Sequence, residues 1–251
     1  MRRLLLTFTP KNKLRKVRLN MDIIYPYQKG DDELIYSLRS LKNIPHDKVF
    51  IVGEKPNFNF KNVYFIPFNQ SGTKYKNTTE IVKLMCKNSL VSDDFILMND
   101  DFFIIKEIKN PTEELNIFRG NALNVYERYV QKFGENGYSK GMLETIKLLQ
   151  DIGINEPLSY ELHTPFIFNK NKFLKMFEIK GVADILALHK RTLYGNLYNQ
   201  GGTAMKDVKV FAFSGYNPDE NQKFVSCSDT AWANLRLYLE KIFKEKSFYE
   251  E

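Results

Sequence analysis

Cysteine is scarce in this 251-residue chain: only Cys86 and Cys227 occur. Two lone cysteines provide neither a disulfide framework nor a thiolate metal cage, and they fit a reducing compartment. Histidine is limited to His46, His163 and His189, and tryptophan to Trp232, so no run of clustered imidazoles proposes itself as a zinc site. Long apolar runs are missing as well. Leu4–Leu6 is too short for a signal-peptide core, and nothing approaches a membrane-spanning length, so a cytoplasmic protein is expected. The Gly-Lys-Ser/Thr spacing of a P-loop is absent. There are no internal repeats and no low-complexity stretch.

What is abundant is aromatic: 20 Phe and 14 Tyr, rings that fill cores or form platforms for bases and sugars. The net charge of +7 suggests a nucleic-acid partner until it is mapped along the chain. Residues 1–20 contain Arg2, Arg3, Lys11, Lys13, Arg15, Lys16 and Arg18 and no acid, and the remainder balances at 30 basic against 30 acidic residues. The body is neutral. The excess forms a basic arm, read either as a poorly ordered leader (or an early start, with Met21 opening the domain) or as an arm that follows phosphates or an anionic membrane surface.

The first half alternates strands and helices. Asp22–Tyr27 (DIIYPY) predicts a buried strand closed by a Gly30–Asp31–Asp32 turn, and Glu33 to Asn43 places Leu34, Ile35, Leu38 and Leu41 at helical spacing. Strands follow at Lys48–Val52 and Asn62–Phe68. Thr78 or Thr79 is expected to cap a helix carrying Ile81, Val82, Leu84 and Met85. A fourth strand, Phe95–Met98, runs into Asn99–Asp100–Asp101, with Phe102–Ile105 extended beyond. This order predicts a mostly parallel, Rossmann-like α/β sheet flanked by helices. Ligands bind such sheets beyond the carboxyl ends of the strands, so Tyr25–Tyr27, Gly53–Lys55 and Asn99–Asp101 are expected along one rim. The second half is less regular. It predicts a helix through Met142, Leu143, Ile146, Leu149 and Ile152, a strand over Leu158–Asn169 broken at Pro165, helix over Val182–Leu188, and a final helix with Trp232, Leu235, Leu239, Ile242 and Phe243 inward. No linker divides the chain, and one domain is expected over 21–251, with 21–105 the nucleotide-binding half and 106–251 the acceptor half.

The sharpest chemical feature is FILMNDDFF, residues 95–103. Two adjacent acids at the end of an apolar strand need a cation or donors once desolvated. Hard oxygen ligands suit Mg²⁺ or Mn²⁺, which keep open positions for diphosphate oxygens. The plainer alternative is that Asp100 and Asp101 close a turn or cap the next element. Gly72–Asn77, with Lys74 and Lys76, is read as preceding a helix N-terminus, where anions are favoured, or as a solvated loop. Glu161 and His163, two apart on an expected strand, share one face and are read as base plus metal ligand, or His163 as a hydrogen-bonded structural histidine. His46 is expected to be inert and His189 a weaker candidate. Asp229, before the last helix, is an N-cap or an acceptor-activating base. Arg39 pairs with phosphate or with a structural acid.

The blocks DIIYPYQKGDDELIYSLRSLKN, KVFIVGEKP, FILMNDDFF and ELHTPF resemble, in that order, those of the Stealth family of bacterial capsule and eukaryotic hexose-1-phosphate transferases, and also short, often phage-encoded glycosyltransferases. The resemblance covers residues 21–105 and touches the 160s. It implies a glycosyltransferase-A-like nucleotide-sugar core, with Tyr25 and Pro26 against the base, Asn99 beside the donor, Asp100 and Asp101 on the metal (Asp101 also catalytic), and His163 completing the metal shell or holding a phosphate. The family's first block normally carries Trp-Val-Asp-Gly where this chain has Pro26–Tyr27–Gln28–Lys29–Gly30, which leaves sugar transfer and sugar-phosphate transfer both open. The leading expectation is a metal-dependent glycosyltransferase using a nucleotide-diphosphate sugar, with Glu161, Asp229 and His163 as possible bases. The acceptor is expected to be a polysaccharide or another polymer, with modified DNA also open. A hexose-1-phosphate transferase is the close rival. A non-catalytic nucleic-acid-binding module, motivated by the basic arm and the many Phe, is the alternative from another class.

Overall fold

A computed structural model describes residues 21–30, 32–211, 216 and 218–251; the basic arm and Asp31 lie outside the described residues. In chain order the elements are β1 (Asp22–Tyr27), α1 (Glu33–Ser40), β2 (Val49–Gly53), β3 (Tyr64–Pro67), α2 (Lys74–Lys87), β4 (Asp94–Leu97), β5 (Phe102–Ile104), α3 (Pro111–Glu114), β6 (Ile117–Phe118), β7 (Gly120–Asn121), α4 (Ala122–Phe133) and α5 (Gly137–Asp151). They continue with β8 (Leu158–Ser159), β9 (Phe166–Asn169), α6 (Lys170–Lys175), α7 (Lys190–Leu197), β10 (Thr203–Ala204), β11 (Lys209–Val210), β12 (Phe224–Cys227) and α8 (Asp229–Ile242).

The main sheet has the order β3-β2-β1-β4-β9. Its first four strands are parallel, and β9 adds an antiparallel edge. The mostly parallel α/β architecture expected from the alternating pattern is therefore present. β1 is apolar beyond Asp22 because both of its faces are covered. Ile23, Tyr25 and Tyr27 pack with Leu34, Leu38 and Leu41 of the α1 region on one side, while Ile24 packs with Ile81, Val82 and Met85 of α2 on the other. A smaller sheet, β11-β12-β5, lies alongside, with β12 antiparallel to β5.

Strand order reverses at β1, whose neighbours β2 and β4 lead the chain to opposite sides. Pro26 lies at that point. The Ile23 N–H donates to Lys48 O on the β2 side, so the alternation of the ladder turns the Pro26 nitrogen toward β4. The last β1–β4 partners are Ile24 and Leu97. A residue with no N–H to give therefore sits where β4 leaves β1, and the chain beyond Met98 diverges as the Asn99–Asp101 loop.

Several local expectations need correction. Thr73, not Thr78 or Thr79, caps α2, its side chain accepting from the Lys76 N–H; the Asn77 amide braces that turn by bonding Gly72 at both N and O. Lys74 and Lys76 are thus in the first turn of α2 and not in a loop before it. Leu158–Asn169 is not one interrupted strand: β8 pairs with β7 and β9 pairs with β4. Glu161 and His163 consequently lie on a connecting loop, where strand alternation does not apply. Val182–Asp184 forms only a 3-10 turn. Ser228 occupies the N-cap of α8 without a side-chain cap bond, and Asp229 is the first helical residue, so the cap reading of Asp229 does not hold.

Gly53, at the rim end of β2, has φ +142°, and a Cβ there would lie 1.9 Å from the Tyr27 carbonyl oxygen. Gly53→Ala is expected to lower unfolding free energy by at least about 2 kcal/mol through combined strain and overpacking, measured by urea denaturation; an unchanged midpoint would show that the rim is looser than described.

Candidate active site

Two banks of charged side chains meet at the carboxyl ends of β1 and β4. The acidic bank begins with Asp100 and Asp101. Their loop is held from beneath: Ser37 Oγ on α1 donates to Phe102 O at 2.6 Å and lies 3.4 Å from Asn99 O, and Tyr25 OH bonds Ser37 Oγ at 3.0 Å. Tyr25 is fully buried, so it supports the loop and does not present its ring to a base. Asn99 takes part through its backbone carbonyl, which also accepts the Phe102 N–H.

Asp101 immediately precedes β5 and is met by the small sheet. Its Oδ2 accepts from Ser226 Oγ of β12 at 3.0 Å and from Lys209 Nζ of β11 at 3.3 Å. Glu33 enters from the first turn of α1, with Cys227 Sγ 3.7 Å from its Oε1. These carboxylates repel one another in a desolvated place. Burial, then the Asp101 charge, pushes the Asp100 carboxyl up to about 7. Burial, then the charges of Asp100 and Asp101, with Asp229 adding a smaller push, lifts Glu33 to about 8.

The opposite bank stands on the β8–β9 loop and α7. His163 Nδ1 lies 3.0 Å from both oxygens of Asp207, whose Oδ1 also accepts the His163 N–H, and Arg119 stands 3.6 Å from Oδ2. Burial would raise Asp207, but the His163 hydrogen bonds and the Arg119 charge outweigh it and hold the carboxyl down at about 2. Facing an ionised partner, Nδ1 is the nitrogen that donates, and Nε2 is left facing away from Asp207. Glu161 accepts the Arg191 and Thr192 N–H groups at the start of α7. Despite burial, the neighbouring His189, Arg191 and Lys190 side chains depress it. Burial lowers Lys190 as well, to about 8. Arg191 donates to Leu162 O and Thr164 O, fixing the loop that carries His163.

Phe102 joins the banks. It follows Asp101 in sequence, its ring meets His163 edge-on with centroids 6.2 Å apart, and the Arg191 guanidinium lies 5.2 Å from its centroid. The arrangement offers a carboxylate pair, an oriented imidazole, and the cationic side chains Lys190, Arg191, Arg119 and Lys209.

Other expected site residues fall elsewhere or play other parts. Arg39 makes a bidentate pair with Glu250 (2.7 Å at its shortest) and donates to Phe243 O; a carboxylate near the C-terminus occupies the guanidinium expected on a phosphate. Lys74 lies against the Tyr75 ring. His189 is buried at the N-cap of α7, with Nε2 facing Tyr138 O. Among the described residues no three His, Cys, Asp or Glu side chains gather into a metal-holding group, so His163 does not join Asp100 and Asp101 in a preformed shell; Asp207 holds it instead. Two open depressions, of about 360 and 420 Å³, are lined by other residues.

No family model matches the chain, and no curated protein matches it. Among solved structures it is similar to a galactosyltransferase, LgtC, determined in complex with donor and acceptor sugar analogues. Identity is 13%, 92% of this chain and 98% of that chain are covered, and the TM-score is 0.48. Among the described residues no helix is long and apolar enough to cross a membrane.

Asp207, Lys190, Arg191, Lys209 and Ser226 were not singled out from sequence. The HKRT run at 189–192 was the one available signal; Asp207 stands in no motif.

The raised carboxyls predict a pH effect with a definite sign. Protonated Asp100 and Glu33 suit the fold, so stability is full below their ordinary values of 3.8 and 4.5 and is lost as pH rises through about 7 and 8. Melting temperature in chelator should fall across that window, and Asp100→Asn should flatten the fall; a parallel decline in the variant would contradict the assignment.

Proposed function

We propose that the chain is a glycosyltransferase that moves a sugar from a nucleotide-diphosphate sugar to an acceptor hydroxyl. The observation that carries this reading is the desolvated Asp100–Asp101 pair at the strand-order reversal, facing a bank of cationic side chains across Phe102. Asp100, raised by burial and then by the charge of Asp101 beside it, marks a place that a divalent cation would relieve. Mg²⁺ requires only one or two protein carboxylates when phosphate oxygens and water complete its shell, which is the donor set Asp100 and Asp101 would provide. Asp100 and Asp101 would hold Mg²⁺ or Mn²⁺, which when bound supplies neutralisation of the departing diphosphate.

The chain's own residues do the remainder. Lys190, Arg191 and Arg119 provide positive charge for the donor phosphates. Phe102 keeps water from the interval between the banks. His163 Nε2, with its tautomer set by Asp207, takes the acceptor proton. Glu161 is less suited to that task because two helix N–H groups and neighbouring cations stabilise its charged form. The order of motif blocks favours a second reading, hexose-1-phosphate transfer, in which attack falls on the phosphorus bearing the sugar. Release of nucleoside diphosphate supports the first reading, and release of monophosphate the second. Nothing in the neutral body favours the nucleic-acid-binding module.

The deciding measurement is a thermal-shift screen with UDP-, GDP-, CDP- and dTDP-sugars, with and without Mn²⁺. One nucleotide sugar should stabilise the protein only with the metal, and Asp101→Asn should abolish the shift; no response to any of them would remove the proposal. Once the donor is known, His163→Ala should lower kcat by roughly 10²–10⁴-fold while the donor-induced shift persists. A variant turning over at the wild-type rate would exclude His163 as the base.

A further inference from the structure

A ladder of aromatic rings leads from the histidine bank to the surface. Its inner member is Tyr138, 4.4 Å from the His189 ring, with its hydroxyl pKa raised by burial and then by the charges of Glu161 and Asp207. Tyr75 lies 5.9 Å from Tyr138 on one side and Tyr129 lies 5.1 Å away on the other. Tyr129 is followed by Phe133 at 5.0 Å, and Phe133 by Phe211 at 5.8 Å. The outer end returns to the acidic bank. Phe211 stands two residues past Lys209, the residue that bonds Asp101, and its carbonyl accepts from Ser228 and Thr230 on either side of Asp229. The ladder therefore borders the site at both ends.

Core packing does not account for the outer rings. Phe133 and Phe211 are each 46% exposed, and Tyr129, Phe133 and Phe211 belong to none of the buried clusters. We propose that Tyr129, Phe133 and Phe211 form the acceptor platform, and that the acceptor is an uncharged saccharide chain; this rests on the transferase reading. Stepped rings a few ångströms apart present flat apolar faces to the C–H faces of successive sugar rings. Lys132, with Nζ 5.0 Å from the centroids of both Phe133 and Phe211, supplies donors for sugar hydroxyls. Bases also stack on such rings, but a single strand needs a cationic track for its phosphates. Here Glu127 and Glu135 offset Arg128 and Lys132 along α4 and its end, and the far end of the ladder meets the acidic bank.

Saturation-transfer NMR on the whole chain tests this with maltohexaose, cellohexaose, chitohexaose and an oligo-dT as probes, beside the nucleotide-sugar thermal shift. At least one hexasaccharide should receive saturation. Phe133→Ala/Phe211→Ala should weaken its binding by roughly tenfold, with circular dichroism and the nucleotide-sugar shift unchanged, and Phe133→Tyr should retain binding. Loss of saccharide binding in the double variant would support the platform even if no nucleotide sugar binds, an outcome that sinks the transferase reading alone. No binding of any hexasaccharide, binding that survives the double variant, or oligo-dT taking the rings in their place would overturn the platform.

Discussion

Two adjacent, largely covered carboxylates at the end of an interior strand are the constraint around which the rest is arranged. Such a pair repels itself and lacks full hydration, so surrounding atoms must hold the loop in place. Ser37 does so from α1, anchored in turn by the buried Tyr25 hydroxyl. Ser226 and Lys209 do so from the small sheet. The main sheet supplies the location, because Pro26 withholds a donor where β4 leaves β1 and the loop separates from the ladder.

The second bank follows from a different economy of contacts. The β8–β9 loop has no ladder of its own around residues 160–165, and Arg191 substitutes for one by donating to two of its carbonyls. Glu161 satisfies the start of α7, and Asp207 fixes the His163 ring. Each of these groups is positioned by a partner distant in sequence, and Phe102 brings the result up to the carboxylates. The two banks differ in sign of charge and in how they are held: the acidic one by a sheet and a helix, the basic one by side chains bonding loop carbonyls.

Much of the first half could be read directly. The apolar runs at 22–27, 49–53 and 94–97 are strands because covered parallel strands tolerate little polarity, and the acids after the last of them lie at the rim as expected. The second half was read less well, for identifiable reasons. β8 and β9 look like one strand interrupted at Pro165, yet they pair with different partners, and strand periodicity cannot distinguish those cases. Two helix starts were misplaced because several hydroxyl and acidic residues compete for each cap: Thr73 against Thr78 and Thr79, Ser228 against Asp229. Arg39 had equal claims on phosphate and carboxylate; the pairing with Glu250, more than 200 residues away, was invisible to spacing.

By itself the amino-acid order determined the alternation of strands and helices, the covered interior sheet, and the placing of Asn99–Asp101 at a strand end, since each depends on neighbours within a few residues. Only the tertiary structure decided that Tyr25 is a buried prop, that Asp207 orients His163, that Lys209 pairs with Asp101, and that Arg191 fixes the loop facing it. These are contacts between side chains tens to more than a hundred residues apart, and local pattern has no access to which distant group will be near enough to share a proton or balance a charge.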